Sequence, residues 1–160
     1  MTWYEHSSAP WVPVSRRLIR ARTITLWIWF GLLIVASSVL ALLGDEPLLL
    51  IVPAVLVALG LWFSWIIVRQ VTAHAWAEAE DELLVRRGRL FRSVTVVPYG
   101  RMQFVDVSAG PLQRAFGIAK VQLHTASPHS DASISGVPAD EAARLRDRLT
   151  TRGEARLAGL

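Results

Sequence analysis

Seven consecutive residues, Arg86-Arg87-Gly88-Arg89-Leu90-Phe91-Arg92, place four guanidinium groups around one glycine. A guanidinium is permanently charged and planar, and its donors match phosphate and carboxylate oxygens. Beside an anionic bilayer each such cation contributes on the order of 1 kcal/mol. The surrounding pattern reads as a β-hairpin: Glu82-Leu83-Leu84-Val85-Arg86 forms one arm, Arg89-Leu90-Phe91-Arg92 the other, and Gly88 lies in the tight turn. Its tip is suited to anionic headgroups or to the acidic face of a protein. A solvated hairpin whose arginines keep the sheet edge soluble needs the same residues. Arg86, Arg87, Arg89 and Arg92 are therefore the candidate binding residues.

Other chemistry is thin. The four histidines are His6, His74, His124 and His129. His124, His129 and Asp131 flank one turn, fewer and looser ligands than a zinc site needs. Ser127, Ser130 and Ser133 share that segment with His129 and Asp131, but triads are assembled in space and such a loop is ordinary turn chemistry. There is no cysteine, so thiolate metal sites and cysteine nucleophiles are excluded. Phosphate-loop, Gly-x-Ser-x-Gly and His-Glu-x-x-His patterns are missing. No catalytic residue, metal or cofactor is expected, and an enzyme is disfavoured. The pI near 10.6 reflects many arginines: from Arg69 onward 13 basic residues face 10 acidic ones, so nucleic acid is not an expected partner.

The elements that would position the arginines begin in lipid. Residues 24–43 and 47–68 are free of charge, and roughly 20 helical residues cross a bilayer core. Between them Gly44-Asp45-Glu46-Pro47 makes a short acidic turn, so the spans form an antiparallel hairpin over residues 24–68. Arg16, Arg17, Arg20 and Arg22 precede it and Arg69 follows it, which puts both termini in the cytoplasm. Trp27, Trp29 and Phe30 with Trp62, Phe63 and Trp65 form one interfacial aromatic belt. The basic stretch starts too late, and the apolar run is too long, for a cleaved signal. With no ionisable group inside the spans, a transporter or channel is disfavoured. Gly31, Ser37, Ser38, Ser64 and the pair Ala54 and Ala58 read as helix–helix contacts.

Beyond the hairpin the period changes to two. Residues 93–97, 102–107 and 120–125 read as strands, the last with Val121 and Leu123 on one face and Gln122 and His124 on the other. Turns fall at Pro98-Tyr99-Gly100, Ser108-Ala109-Gly110-Pro111 and residues 127–131. Residues 112–116 read as one helical turn ended by Gly117. A final amphipathic helix spans 138–151, with Pro138 first, Asp140 and Glu141 at its N-terminal end, Ala142, Leu145 and Leu149 on one face and Gly153 as its stop. Residues 1–23 form an N-terminal segment, 69–152 the β domain and 153–160 a tail. Nothing in residues 1–15, with Trp3, Tyr4 and Trp11, assigns them to membrane or domain.

Two blocks carry a resemblance. Val97-Pro98-Tyr99-Gly100-Arg101-Met102-Gln103-Phe104-Val105-Asp106 is followed by Gly110-Pro111-Leu112-Gln113-Arg114-Ala115-Phe116-Gly117-Ile118-Ala119-Lys120-Val121-Gln122-Leu123-His124-Thr125-Ala126. Together with the two-helix anchor they resemble the bacterial pleckstrin-homology domain of the YdbS-like, membrane-flanked family. That family shows a proline and "R-(I/M)-Q-x-V", then "G-P-L-Q-R-x-x-G" and a strand ending in "T-A". Where it usually has a clear first strand, this chain has the alanine-rich His74-Ala75-Trp76-Ala77-Glu78-Ala79-Glu80. The resemblance implies an α+β protein: a transmembrane hairpin, then a seven-stranded, partly open antiparallel β-barrel capped by the C-terminal helix. It implies no reaction. The expected function is a membrane-anchored cytoplasmic binding or scaffold module at the bacterial plasma membrane, recruiting a membrane-protein partner, a second copy or anionic lipid. The alternative is an accessory subunit of a larger membrane complex.

Overall fold

The computed structural model describes residues 10–44, 47–88, 93–126 and 131–157. By its contacts the chain divides into two units: Ile19–Arg69, and the segment up to Leu18 together with the chain from Gln70 onward.

The first unit holds most of two helices, α1 (Arg17–Leu43) and α2 (Ile51–Val71), the latter preceded by a 3-10 turn at Pro47–Leu50. At 1.5 Å per residue these are about 40 and 31 Å long, enough to cross a bilayer core. Their outer faces are bare hydrocarbon: Leu42 and Leu43 are 75% and 79% exposed, a surface that only lipid or another helix satisfies. Where the helices meet, Trp27 Nε1 donates to Ser64 Oγ (3.1 Å) and Ser64 Oγ donates back to Gly60 O (2.8 Å). The Trp27 ring packs on Gly60, where a Cβ would stand 3.1 Å from it. Phe30 meets Phe63 with ring centroids 6.1 Å apart. Ser64 is thus a contact residue as expected. Gly31 has no neighbour within 4 Å of a built Cβ, Ser37 and Ser38 donate to Ile34 O of their own helix, and Ala54 and Ala58 are exposed. Small size alone did not mark the contact, because a tryptophan ring needs only one glycine to lie on.

Among the described residues the second unit carries seven strands in two antiparallel sheets. One has the order β1 (Val12–Pro13), β2 (Ala75–Glu78), β3 (Glu82–Arg87), β4 (Ser93–Pro98); the other has β5 (Met102–Ser108), β6 (Ile118–Thr125), β7 (Ala132–Pro138). β4 and β5 are consecutive in the chain but belong to different sheets, so the barrel stays open there. Across the other side Ser15 N donates to Gly136 O at 2.8 Å. A short helix α3 (Pro111–Ala115) precedes β6, and α4 (Ala139–Leu157) follows β7 and covers the core. Val121 and Leu123 face inward, and Ala142, Leu145 and Leu149 are fully buried on α4.

Several expectations are corrected. Residues 10–14, unassigned by pattern, supply β1, and the alanine-rich segment is β2, with Ala75, Trp76 and Ala77 all buried. The hairpin partner of β3 is Ser93–Pro98, in register from Arg87↔Ser93 to Glu82↔Pro98, not residues 89–92. Ser133 lies in strand β7, and Pro138 ends that strand instead of opening the helix. Gly153 does not stop α4, which runs on to Leu157. It is buried against Tyr99 O and Met102 Cε, at 3.6 and 3.7 Å from where a Cβ would be, so its smallness serves packing.

A clamp fixes α4 to the barrel. Glu78 at the end of β2 accepts from Arg148 (Nη2 to Oε1, 2.8 Å) and pairs with Arg152 (3.4 Å), and Arg148 also reaches Glu141 at 2.8 Å. The hydrogen bonds that Arg148 donates to Glu78 and Glu141 raise its pKa. Fully buried Tyr99 donates to Ala79 O and accepts from Arg152 Nη1, both at 3.0 Å. Burial raises the Tyr99 pKa above its ordinary 10.0, against the opposing pull of Arg152. The folded chain therefore keeps this proton after the unfolded chain has released it. The resulting stability is complete below about pH 10 and is lost as pH rises from there through the folded pKa. Melting temperature is expected to fall more steeply above about pH 10 in the native chain than in Tyr99→Phe. Parallel profiles would rule the effect out.

Candidate functional site

Arg86 and Arg87 sit at the end of the β unit where both connections to the helical hairpin enter. α2 ends at Val71, His74 N bonds back to Val71 O, and β2 begins at Ala75. Ala75 pairs with Arg86 on one side and with Pro13 on the other, and β1 leads through Ser15 into α1. Arg86, Arg87 and Ser93 thus flank the point at which the chain arrives from α2 and departs toward α1.

The two expected residues that the structure describes, Arg86 and Arg87, do not act alike. Arg86 is exposed, with its guanidinium carbon 4.9 Å from the centre of the Trp11 ring, an arrangement that pre-orients the cation while leaving its donors free. Arg87 is half-buried and points across to β7, donating to the carbonyl oxygen of Ser133 and to Ser133 Oγ (2.9 Å). Burial lowers its pKa. Arg87 thereby links the two sheets and is withdrawn from the surface, which no strand period announces. Arg89 and Arg92 lie outside the described residues, as do His6, His129, Ser127 and Ser130.

The second sheet presents its own corner at this end. Arg17 Nη1 donates to Phe116 O at 3.4 Å, Ala139 N donates to Gly117 O at 3.0 Å, and Gly117 takes φ +63° to turn the chain into β6. Arg16, Arg17 and Arg114 are exposed there. At the opposite end of the unit the β2–β3 connection runs Glu78-Ala79-Glu80-Asp81-Glu82, with Glu80 and Asp81 exposed. Acidic residues thus collect in the β2–β3 connection beside the cations Arg148 and Arg152, while Arg16, Arg17 and Arg114 share their corner with the exposed Asp140 at the start of α4.

His124 stacks on Phe104 (centroids 4.3 Å apart) with Asp131 at 3.4 Å and Asp106 at 3.6 Å. Among the described residues no group of His, Asp and Glu is arranged to hold a metal ion. A shallow groove between β5 and α4, lined by Met102, Phe104, Val105, Leu149 and Gly153, lacks the converging polar groups of a small-molecule site.

The Bacterial PH domain family matches residues 24–152, from the first residue of the first apolar run to the fourth turn of α4. The chain belongs to the bacterial PH domain family. Among curated proteins of Bacillus subtilis (strain 168), it is 35% identical to UPF0699 transmembrane protein YdbS over 74 residues, 44% of this chain and 43% of that protein. It is 25% identical to UPF0699 transmembrane protein YdbT over 96 residues, 57% of this chain and 20% of that one. The chain thus covers less than half the length of either relative. No solved structure matches. This is a YdbS-like bacterial PH domain protein, and its two apolar helices are transmembrane helices. β1 and Leu18 precede the region that the family matches.

Proposed function

We propose that this bacterial PH domain chain is a membrane-anchored binding module, not a catalyst, whose arginine-bearing end rests on anionic headgroups of the inner leaflet of the plasma membrane. The Ala75↔Arg86 register supports this most directly. It puts the exposed cation one strand away from a residue only seven positions past Val68, the last residue of the second apolar run. Both ends of the hairpin feed one β unit, which requires them to share a side of the bilayer. The arginines before and after the spans favour the cytoplasmic side. A tether raises the effective concentration of the cations at the surface, so contacts too weak for a free domain suffice.

The absence of cysteine makes the test simple. A spin label on Ser93→Cys, in the full chain reconstituted in nanodiscs, is expected to be shielded from aqueous relaxants with phosphatidylglycerol and released by high salt. Arg86→Ala should lower the docked-to-free ratio about fivefold. Equal exposure in anionic and zwitterionic discs would end the proposal.

A further inference from the structure

The α3 turn gives the barrel a second cationic corner that the hairpin arginines do not account for. Its backbone is firmly built: Gly110 N donates to Gln113 Oε1 (3.0 Å), Arg114 N to Gly110 O (2.9 Å) and Phe116 N to Leu112 O (3.1 Å). This geometry leaves Arg114 and Ala115 exposed at the outer side of the turn, with Phe116 half-buried behind them. Neither Arg16 nor Arg114 forms an ion pair among the described residues.

The position of this turn follows from covalent distance. Arg17, which holds Phe116 O, stands seven residues before Ile24, and the intervening residues are helical. Seven residues of helix rise about 10 Å. A headgroup layer occupies about 5–7 Å on each side of the hydrocarbon, and the negative surface potential extends a further Debye length of about 8 Å. Arg17 and the turn it touches therefore fall within that field.

We infer that Arg114, with Arg16 and Arg17, forms a second contact surface for the phosphate groups of anionic phospholipids, with Ala115 at the lipid boundary. This rests on the reading that the connection-bearing end faces the bilayer, and it extends that reading from the first sheet to the second. Two contacts on separate sheets would fix the tilt of the barrel, which a single hairpin tip cannot do.

The probe is a spin label on Ala115→Cys in the full chain, in nanodiscs of phosphatidylglycerol with phosphatidylcholine or of phosphatidylcholine alone, beside Ser93→Cys and, in the β2–β3 connection, Glu80→Cys. The expected result is shielding at 115 in the anionic discs only, aqueous exposure at 80 in both, and a drop of about fivefold or more in the docked ratio at 115 with Arg114→Glu. Arg114→Gln should give an intermediate drop, and an unchanged melting temperature in either variant separates this from misfolding. Shielding at 93 with an aqueous 115 in both discs overturns the second surface and leaves the first. Aqueous exposure at both positions overturns both. Equal shielding of 115 in the two discs overturns the role of charge.

Discussion

Glu78→Ala is expected to lower the unfolding free energy of the β unit by about 2–3 kcal/mol, more than the loss of its fellow clamp carboxylate Glu141. Glu78 is only 17% exposed at its side chain and serves two arginines at once. Its removal leaves Arg148 with Glu141 alone, and Arg152 with the Tyr99 hydroxyl and Ala79 O. Breaking a fully buried pair costs about 3–5 kcal/mol. Here the arginine side chains are 40% and 42% exposed, so water recovers part of that. Glu141→Ala, which removes one partner from one arginine, should cost about 1 kcal/mol or less. Thermal or urea unfolding of the full chain in detergent compares the two. Equal losses would mean that Glu78 is not the hub of the clamp.

Gly136→Ala is expected to be comparably damaging, at about 3 kcal/mol, for a different reason. Gly136 has φ +81°, a conformation that costs an L-residue roughly 1–2 kcal/mol. A Cβ there would also stand 2.9 Å from both Cβ and Cδ2 of Leu18. Leu18 is 1% exposed and cannot swing away. The strain would fall on the Ser15 to Gly136 hydrogen bond and therefore on β1. Leu18→Ala alone should cost about 2–5 kcal/mol, and the double variant less than the sum, because truncation at 18 frees part of the space needed at 136. Strict additivity would show that the two sites do not press on each other.

The parts of the fold that sequence displayed were those governed by a single period. The two charge-free runs are apolar on every face, and the alternation around Val121 and Leu123 and the face of Ala142, Leu145 and Leu149 each bury one side only, so in each case the pattern is the structure. β2 escaped this logic: Ala75, Trp76 and Ala77 are buried in succession, so both faces are covered and alternation vanishes, whereas β3, equally buried at Leu83, Leu84 and Val85, was legible from the glycine turn after it. β1 is two residues long, one of them Pro13, too short for any period. Gly153 looked like a stop because glycine commonly ends helices. Its actual reason, a neighbour in a different element, is invisible in one dimension. The candidate site divided the same way. Clustering of arginines was legible, but Arg87 turning inward to Ser133 and Arg114 meeting the end marked by Arg17 are facts of register and tertiary contact.

The pairing of Val12 with Trp76 has a bearing on biogenesis. β1 is made before its partner, which emerges only after both hydrophobic helices have been translated, so closure is a high-contact-order event that comes late. A chain in which only one of the two helices crossed would strand β1 across the bilayer from β2, leaving the edge of Ala75–Glu78 unsealed. Completion of the sheet thus reports that the two helices crossed together, and a chain with one helix left out of the bilayer would present quality-control proteases with an unfinished domain.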